Sequence, residues 1–374
     1  MSQDFTPEQR RWLEGFTSGA AAVKSLHVAP AQEGYMCRLR IANGILKHWQ
    51  FAGIADLVER HGGPYSHVTT RANLQLREIP PEQGPALVEG LVDIGIVARG
   101  SGADNIRNVT GSATAGIDPV ELLDTRPHAR AWHHHILNTR AMYGLPRKFN
   151  VSFDGAGLIP TLEETNDIGF QAVRIGEGAG VEPGIWYRLA LGGITGHQDF
   201  ARDTGVVLRP GDAVAVADAI VRVYIDNGNR TDRNKARLKY LLDDWGFARF
   251  VEAVEDRLGR KLDRVDAAHV EPRIPYDRHA HIGVHPQIQE GLNWIGVVLP
   301  TAKMTAGQMR DLAAISGRLG DGDVRLTVWQ NLILSGIPDA SVDEAKAAIE
   351  ACGLAWTTTS VRAGLVACTG NRGC

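Results

Sequence analysis

The sequence predicts an α+β fold of two similar half-domains on either side of a mixed α/β centre. Three observations carry that prediction. Strand-like and helix-like patterns alternate near both ends of the 374-residue chain, and a segment near the start returns 258 residues later. The composition, 44% apolar and 22% charged, suits a chain that buries sizeable cores. At about 100 to 200 residues per domain the length fits two or three units.

In chain order, Thr6, Pro7 and Gln9 spell a helix start, with a capping hydroxyl, a first-turn proline and an amide at the third helical position. Residues 1–34 are therefore read as a leader helix. From Tyr35 the pattern runs strand 36–41, helix 51–61, strand 68–79 and helix 81–93, which makes residues 35–112 a first half-domain. The same order returns as strand 294–299, helix 305–318, strand 324–334 and helix 341–351, in a second half-domain placed at 281–352. Its helices open on the capping boxes Thr305/Gln308 and Ser341/Glu344.

Residues 68–80 align with 326–338 at a shift of 258, with Thr, Asn, Leu, Leu, Ile and Pro coinciding. Thr110-Gly111 matches Thr369-Gly370 at a shift of 259. Two copies are too few for a solenoid, so a pseudo-twofold pair with a site between the halves is expected. Between the copies lies a third unit, residues 113–275. It is read as Asp118 capping a helix before Pro119, a strand 185–191, a helix 213–226, a basic helix 230–239 and a linker 270–275.

Forty Lys and Arg against forty-three Asp and Glu give a net charge of −3, so no bulk attraction draws the chain to nucleic acid or an acidic membrane. Any anion site must be built locally. The N-terminus lacks a basic segment followed by an apolar one, and no apolar run nears the roughly 18 residues of a membrane span. A cytoplasmic protein with no nucleic-acid or membrane partner is expected.

Side chains alternate along a strand, so Arg38 and Arg40 share one face of the first strand and Arg71, Asn73, Gln75 and Arg77 one face of the next. Such a face is either a solvated sheet surface or one wall of an anion site. The second copy has Trp329, Asn331, Ile333 and Ser335 at the latter positions, so the shared scaffold does not require arginine there. Arg107 and Asn108 in a turn-like segment, and Arg147, Lys148 and Asn150 before another strand, add further polar and cationic groups. Each alone also reads as exposed loop charge; together with the strand face they suggest a highly anionic ligand.

Cys368 and Cys374 form a Cys-x5-Cys pair in a glycine-containing loop, either half of an iron-sulfur or metal site or two unrelated thiols. Cys37 and Cys352 read as buried, inert thiols. His133, His134 and His135, with His128, are consecutive or near-consecutive and point in different directions, which favours structure over metal ligation. Gly176, Gly178 and Gly180 precede a strand rather than a helix, so a β-turn fits better than a dinucleotide loop.

These residues resemble the ferredoxin-dependent nitrite/sulfite reductases, enzymes with siroheme and a 4Fe-4S cluster. The resemblance runs from about Tyr35 to Cys374 through Cys37-Arg38-Leu39-Arg40, Thr69-Thr70-Arg71, Asn105-Ile106-Arg107-Asn108, Leu145 to Asn150, Leu191 to His197 and the final cysteine pair. It implies duplicated ferredoxin-like half-domains flanking a siroheme-binding α/β domain. It also implies that Arg38, Arg107, Lys148 and Asn150 face the reacting anion. Arg40, Arg71, Gln75, Asn108, Arg147 and the Gly192-Gly193 loop would hold siroheme, and Cys368 and Cys374 would ligate the cluster.

The implied activity is assimilatory six-electron reduction of nitrite to ammonia, with reduced ferredoxin as donor. Asn150 stands where sulfite reductases of the family usually carry a second lysine, and one cation fewer favours nitrite over the more highly charged sulfite. The alternatives are a sulfite reductase of the same family or an inert siroheme-binding fragment. Members continue through a Cys-x3-Cys pair that this sequence does not contain. Residues 353–374 are thus read as the start of a truncated second catalytic domain, and the cluster's ligand set as incomplete in this chain.

Overall fold

The computed structural model describes residues 28–30, 33–358 and 361–368. The helix start at Thr6 and the thiol of Cys374 lie outside them. The end of the expected leader, Val28–Pro30, is a strand, β1, paired antiparallel with β2 (Tyr35–Arg38). The first half continues through β3 (Ile45–Lys47), α1 (His48–His61), β4 (Ser66–Thr69), β5 (Asn73–Ile79) and α2 (Gly84–Asp93). The single strand expected over 68–79 is therefore a hairpin, folded at Ala72 with a φ of 45°. Arg71 sits in its turn rather than on the strand face.

The central unit runs β6 (Thr110–Gly111), α3 (Arg126–Asn138), β7 (Val151–Asp154), β8 (Ile168–Ile175), β9 (Gly184–Leu191), β10 (Arg202–Leu208), α4 (Ala213–Asn227), α5 (Leu238–Trp245), α6 (Phe247–Leu258) and β11 (Asp263–Arg264). Its six-stranded sheet has the order β11-β10-β9-β8-β7-β6, with β6, β7 and β8 parallel and the rest antiparallel. Apolar faces of the sheet and of α3 to α6 enclose one core around Trp132, Phe149, Phe170 and Tyr224.

Several local expectations fail here for identifiable reasons. Asp118 caps no helix. Its carboxylate accepts from Thr114 Oγ1 and the backbone N–H groups of Val120 and Leu158, stitching a turn. The basic run 230–239 is a 3-10 turn, Arg233–Lys235, with α5 starting only at Leu238, because its arginines reach out to separate acceptors. Residues 270–275 are no free linker, since Arg273 pairs with the buried Asp154 at 3.1 Å. The 176–180 glycines do form the β8–β9 turn, with Gly178 and Gly180 both at a φ of 80°. On α3, His135 pairs with Asp218 while His133 is buried, so the run diverges as helical geometry requires.

The second half comprises β12 (Gly283–Pro286), β13 (Leu292–Val297), β14 (Lys303–Met304), α7 (Ala306–Leu319), β15 (Asp323–Leu326), β16 (Leu332–Pro338) and α8 (Val342–Ala351). Backbone detail repeats with it. Asn43 and Thr301, Ala72 and Gln330, Glu78 and Gly336, and Gly95 and Gly353 all take positive φ, each pair 258 residues apart. Thr305 caps α7 in a capping box with Gln308 as expected. Ser341 forms no cap bond, because the 3-10 turn Asp339–Ser341 leads straight into α8 and leaves it helical.

The two half-sheets exchange a strand. β3 of the first half pairs with β15 of the second, and β14 of the second pairs with β4 of the first. The sheets accordingly read β1-β2-β5-β4-β14 and β12-β13-β16-β15-β3. One apolar core, from Phe51 and Leu74 to Leu312 and Leu334, spans both copies. Arg310 on α7 holds α1 through Asp56, at 2.7 Å, and Glu59.

Candidate functional site

A cavity of about 290 Å³ opens where the first half-sheet meets the central unit. Arg38 ends β2 directly opposite Gln75 on β5, so the two share one wall. Arg71, from the β4–β5 turn, forms another. Its guanidinium is anchored by Asn166 Oδ1 at 2.9 Å and by Thr165. The turn carrying Arg107 lies alongside the segment carrying Lys148 and Asn150, joined by Arg107 N–H to Phe149 O at 2.8 Å and Phe149 N–H to Asn105 O at 3.1 Å. A second lobe of about 230 Å³ shares Arg71, Lys148, Asn150 and Thr195 with the first and extends to Arg147, His197, Arg233 and Arg237.

Residues over a hundred positions apart in sequence thus face one space. Of the candidates, Arg38, Arg71, Gln75, Arg107, Asn108, Arg147, Lys148 and Asn150 line one lobe or the other. Asn108 does so as a clamp. Its amide nitrogen donates to the carbonyls of Ile41, Arg71 and Ala72, and its oxygen accepts from Ile41 N–H at 2.8 Å.

Arg40 is not in the lining. β2 ends at Arg38, so strand alternation no longer aims the Arg40 side chain, and its guanidinium is spent on the carbonyls of Arg99, Gly100, Ile106 and Arg107. It fixes the turn that presents Arg107. Gly192 and Gly193 are also outside the lining. A side chain on Gly193 would meet the carbonyl oxygens of Glu164 and Asn166 at 2.4 and 2.6 Å, so its close approach is to the chain's own backbone. The loop contributes its next residues instead, Ile194 to His197.

Positive charge accumulates without full neutralisation. Burial pulls the Lys148 ammonium below its ordinary value, and Arg237, Arg147 and Arg71 pull the same way. Burial brings Arg71 down to about 10, with Asp167 opposing and Arg237 adding to the shift. Among the described residues neither the Lys148 ammonium nor the Asn150 amide side chain has a hydrogen-bond partner. Arg107 Nε is buried with none. Buried donors and cations left in this state fit a ligand that is itself a multiply charged anion.

Sequence reasoning missed Thr195, His197, Arg233, Arg237 and the Asp167 that partners Arg237. The basic run 230–239 was the signal for Arg233 and Arg237, and its helical reading hid it. Thr195 and His197 stand in the Leu191-to-His197 motif, in which only the two glycines were given a role. Arg233 grips the buried Asp104 through both carboxylate oxygens, at 2.8 and 3.1 Å, and Arg147 joins it at 3.1 Å.

In the second copy the counterpart of this cavity wall is filled. Trp294, Ile333 and Trp329 pack with Ala113, Ile117, Leu158 and Ile159, and His281 stacks on Trp329 with ring centroids 5.3 Å apart. Arg325, fully buried, donates to Ala113 O and Ala115 O. That face docks the central unit, which is why Trp329 and Ile333 stand at the positions equivalent to Arg71 and Gln75.

Cys368 is exposed, and its neighbour Ala367 is held by the Gln330 amide, which also donates to Val68 O. The Cys37 thiol is buried and pushed up to about 12 by that burial, and burial also raises Cys352, so neither is set up as a thiolate ligand. No group of three or more His, Cys, Asp or Glu is placed to hold a metal among the described residues.

Known proteins share this architecture. The family profile described as nitrite and sulphite reductase 4Fe-4S domain matches residues 102–262. The profile described as nitrite/sulfite reductase ferredoxin-like half domain matches twice, at 27–94 and 285–352. A ferredoxin–nitrite reductase of Synechococcus elongatus is 35% identical over 352 residues, 91% of this chain and 66% of that protein. A chloroplastic ferredoxin–nitrite reductase of Zea mays is 32% identical, over 91% of this chain and 60% of its own length. The solved structure of the Mycobacterium tuberculosis NirA protein superposes with a TM-score of 0.83 at 29% identity, covering 91% of this chain and 60% of that one. The chain belongs to the nitrite/sulfite reductase family, and it spans somewhat under two thirds of the length of these relatives.

Proposed function

We propose that this chain forms the anion-holding part of a ferredoxin-dependent nitrite reductase that carries nitrite to ammonia in nitrate assimilation in the cytoplasm. The observation that carries the reading is the gathering of four cations, Arg38, Arg71, Arg107 and Lys148, around the neutral Asn150 in one cavity, with the Lys148 ammonium making no hydrogen bond among the described residues. Relatives bearing that enzyme name at 30–37% identity support it.

Siroheme, a tetrapyrrole rich in carboxylates, fits the donor set. Arg71, Gln75 and Arg147 would hold it, with Asn108 clamping the turn that carries Arg71 rather than reaching the group itself, while Cys368 and Cys374 would belong to its 4Fe-4S partner. When bound, these groups supply single electrons from reduced ferredoxin at an iron that takes the anion.

The chain supplies the rest. Guanidinium groups of Arg38 and Arg107 hold nitrite oxygens and stabilise charge as reduction proceeds. The Lys148 ammonium, already made a readier acid by its surroundings, gives a proton to a departing oxygen. Asn150 adds a hydrogen-bonding amide without a further charge, which matches singly charged nitrite better than sulfite.

The test joins the chain to the cluster-cysteine portion of a full-length relative, loads it with siroheme, iron and sulfide, and measures ammonia from nitrite and sulfide from sulfite, with reduced ferredoxin as donor. Nitrite turnover should dominate, and Arg107→Gln should lower kcat by about 10²-fold or more. Asn150→Lys should shift the preference toward sulfite. Equal or better turnover of sulfite by the unsubstituted protein would replace this reading with a sulfite reductase. Siroheme uptake without turnover of either anion would leave only a binding module.

A further inference from the structure

We infer that the buried ion pair between Asp167 and Arg237 is a positioning device that sets the Lys148–Asn150 segment against the cavity and so governs which anion is accepted. This deepens the nitrite reductase reading and rests on it. Asp167 closes the turn before β8, at the level where β7 begins beside it. Its side chain is 1% exposed and that of Arg237 7%. Arg237 Nε donates to Asp167 Oδ1 at 3.1 Å and its Nη2 to Oδ2 at 2.7 Å, a two-pronged fit of guanidinium to carboxylate.

The same Oδ2 accepts the backbone N–H of Asn150 at 2.8 Å, and Asn150 O accepts from Ile168 N–H at 3.1 Å. Asn150 is thereby pinned through both of its backbone polar groups. Asp167 O also takes Gly192 N–H at 2.9 Å, and Arg237 reaches Gly193 O, so the pair ties down the loop that delivers Thr195 and His197. Arg237 itself lines the second lobe, facing the space that Lys148 and Asn150 share.

A cation and an anion placed 70 residues apart in sequence are costly to bury, and removing one partner strands the other. Here they converge on the residue whose side chain separates nitrite from sulfite in the proposed chemistry. A shift of that residue by about 1 Å is enough to change rates by about 10²-fold.

The experiment uses Asp167→Asn, which keeps an acceptor beside Asn150 but loses the charge, and Arg237→Lys, which keeps the charge but loses the second prong. Amide hydrogen exchange at Asn150 is read on the unloaded chain. The nitrite-to-sulfite ratio of kcat/KM is read on the loaded protein. We expect Asn150 exchange to rise at least about tenfold in both variants, and the ratio to fall by about tenfold or more in the same order. If Asp167→Asn does not fold, Arg237→Lys carries both readings. Unchanged exchange at Asn150, or an unchanged ratio with wild-type nitrite turnover intact, overturns the inference. Failure of the unsubstituted loaded protein to reduce nitrite would instead overturn the function proposed above, since the exchange reading does not depend on it.

Discussion

Lys148 has three guanidinium groups as electrostatic neighbours, Arg237, Arg147 and Arg71, and only Asp167 to offset them. Because burial and these neighbours depress its folded value below 10.5, the unfolded chain holds the proton more tightly between the two values. Stability from this residue therefore rises with pH across that window and is not recovered below it. An anion entering the cavity should reverse the shift. NMR titration of a Lys148 Nζ label should show a midpoint below the ordinary value that moves upward on adding nitrite; a midpoint that ignores nitrite would count against Lys148 as an anion contact. Gly193→Ala tests the loop at the same scale. Its new methyl has no room against Glu164 O and Asn166 O, so denaturant unfolding should report a loss of about 1–3 kcal/mol.

At the scale of elements, sequence and structure agree where a local pattern is decided locally. Thr305 and Gln308 satisfy the first turn of α7 as their spacing requires, and Thr305→Ala should cost about 1 kcal/mol. Ser341→Ala should cost no more than a few tenths, because the preceding 3-10 turn already removes the cap bond. Paired chemical denaturation of the two variants checks both. Disagreement arises where a strand or helix pattern is interrupted by a single distant contact. The alternation through Arg38 and Arg40 was readable, but the end of β2 that turns Arg40 toward the carbonyls of the 99–107 segment was not. The run from Arg230 to Lys239 has helical spacing of charge, yet Arg237 must extend to Asp167 and Arg233 to Asp104. Those partners are 70 and 129 residues away, beyond any window of periodicity.

For the whole molecule, the duplication was the most legible feature, since residues as plain as Asn73 and Asn331 recur at a fixed interval. Which of the two equivalent walls would stay open was legible only in composition, arginine and glutamine in one copy against tryptophan and isoleucine in the other. The exchange of β3 and β14 left no trace in the pattern, because strands of three and two residues carry too little periodicity to announce a partner. Its physical effect is large. Each half-sheet borrows its last strand, and Phe51, Leu74, Leu312 and Leu334 lie in one core, so the halves should unfold together. Hydrogen exchange of β4 and β15 should give matching opening free energies; early release of one half alone would contradict it.

That borrowing also says what a lone copy would do. Residues 28–100 cut free would present β4 with a bare edge and β3 with nothing to lie against, each the complement the other lacks. Two such fragments would satisfy one another by crossing arms, a self-made dimer whose arrangement restates in two molecules what the chain accomplishes in one.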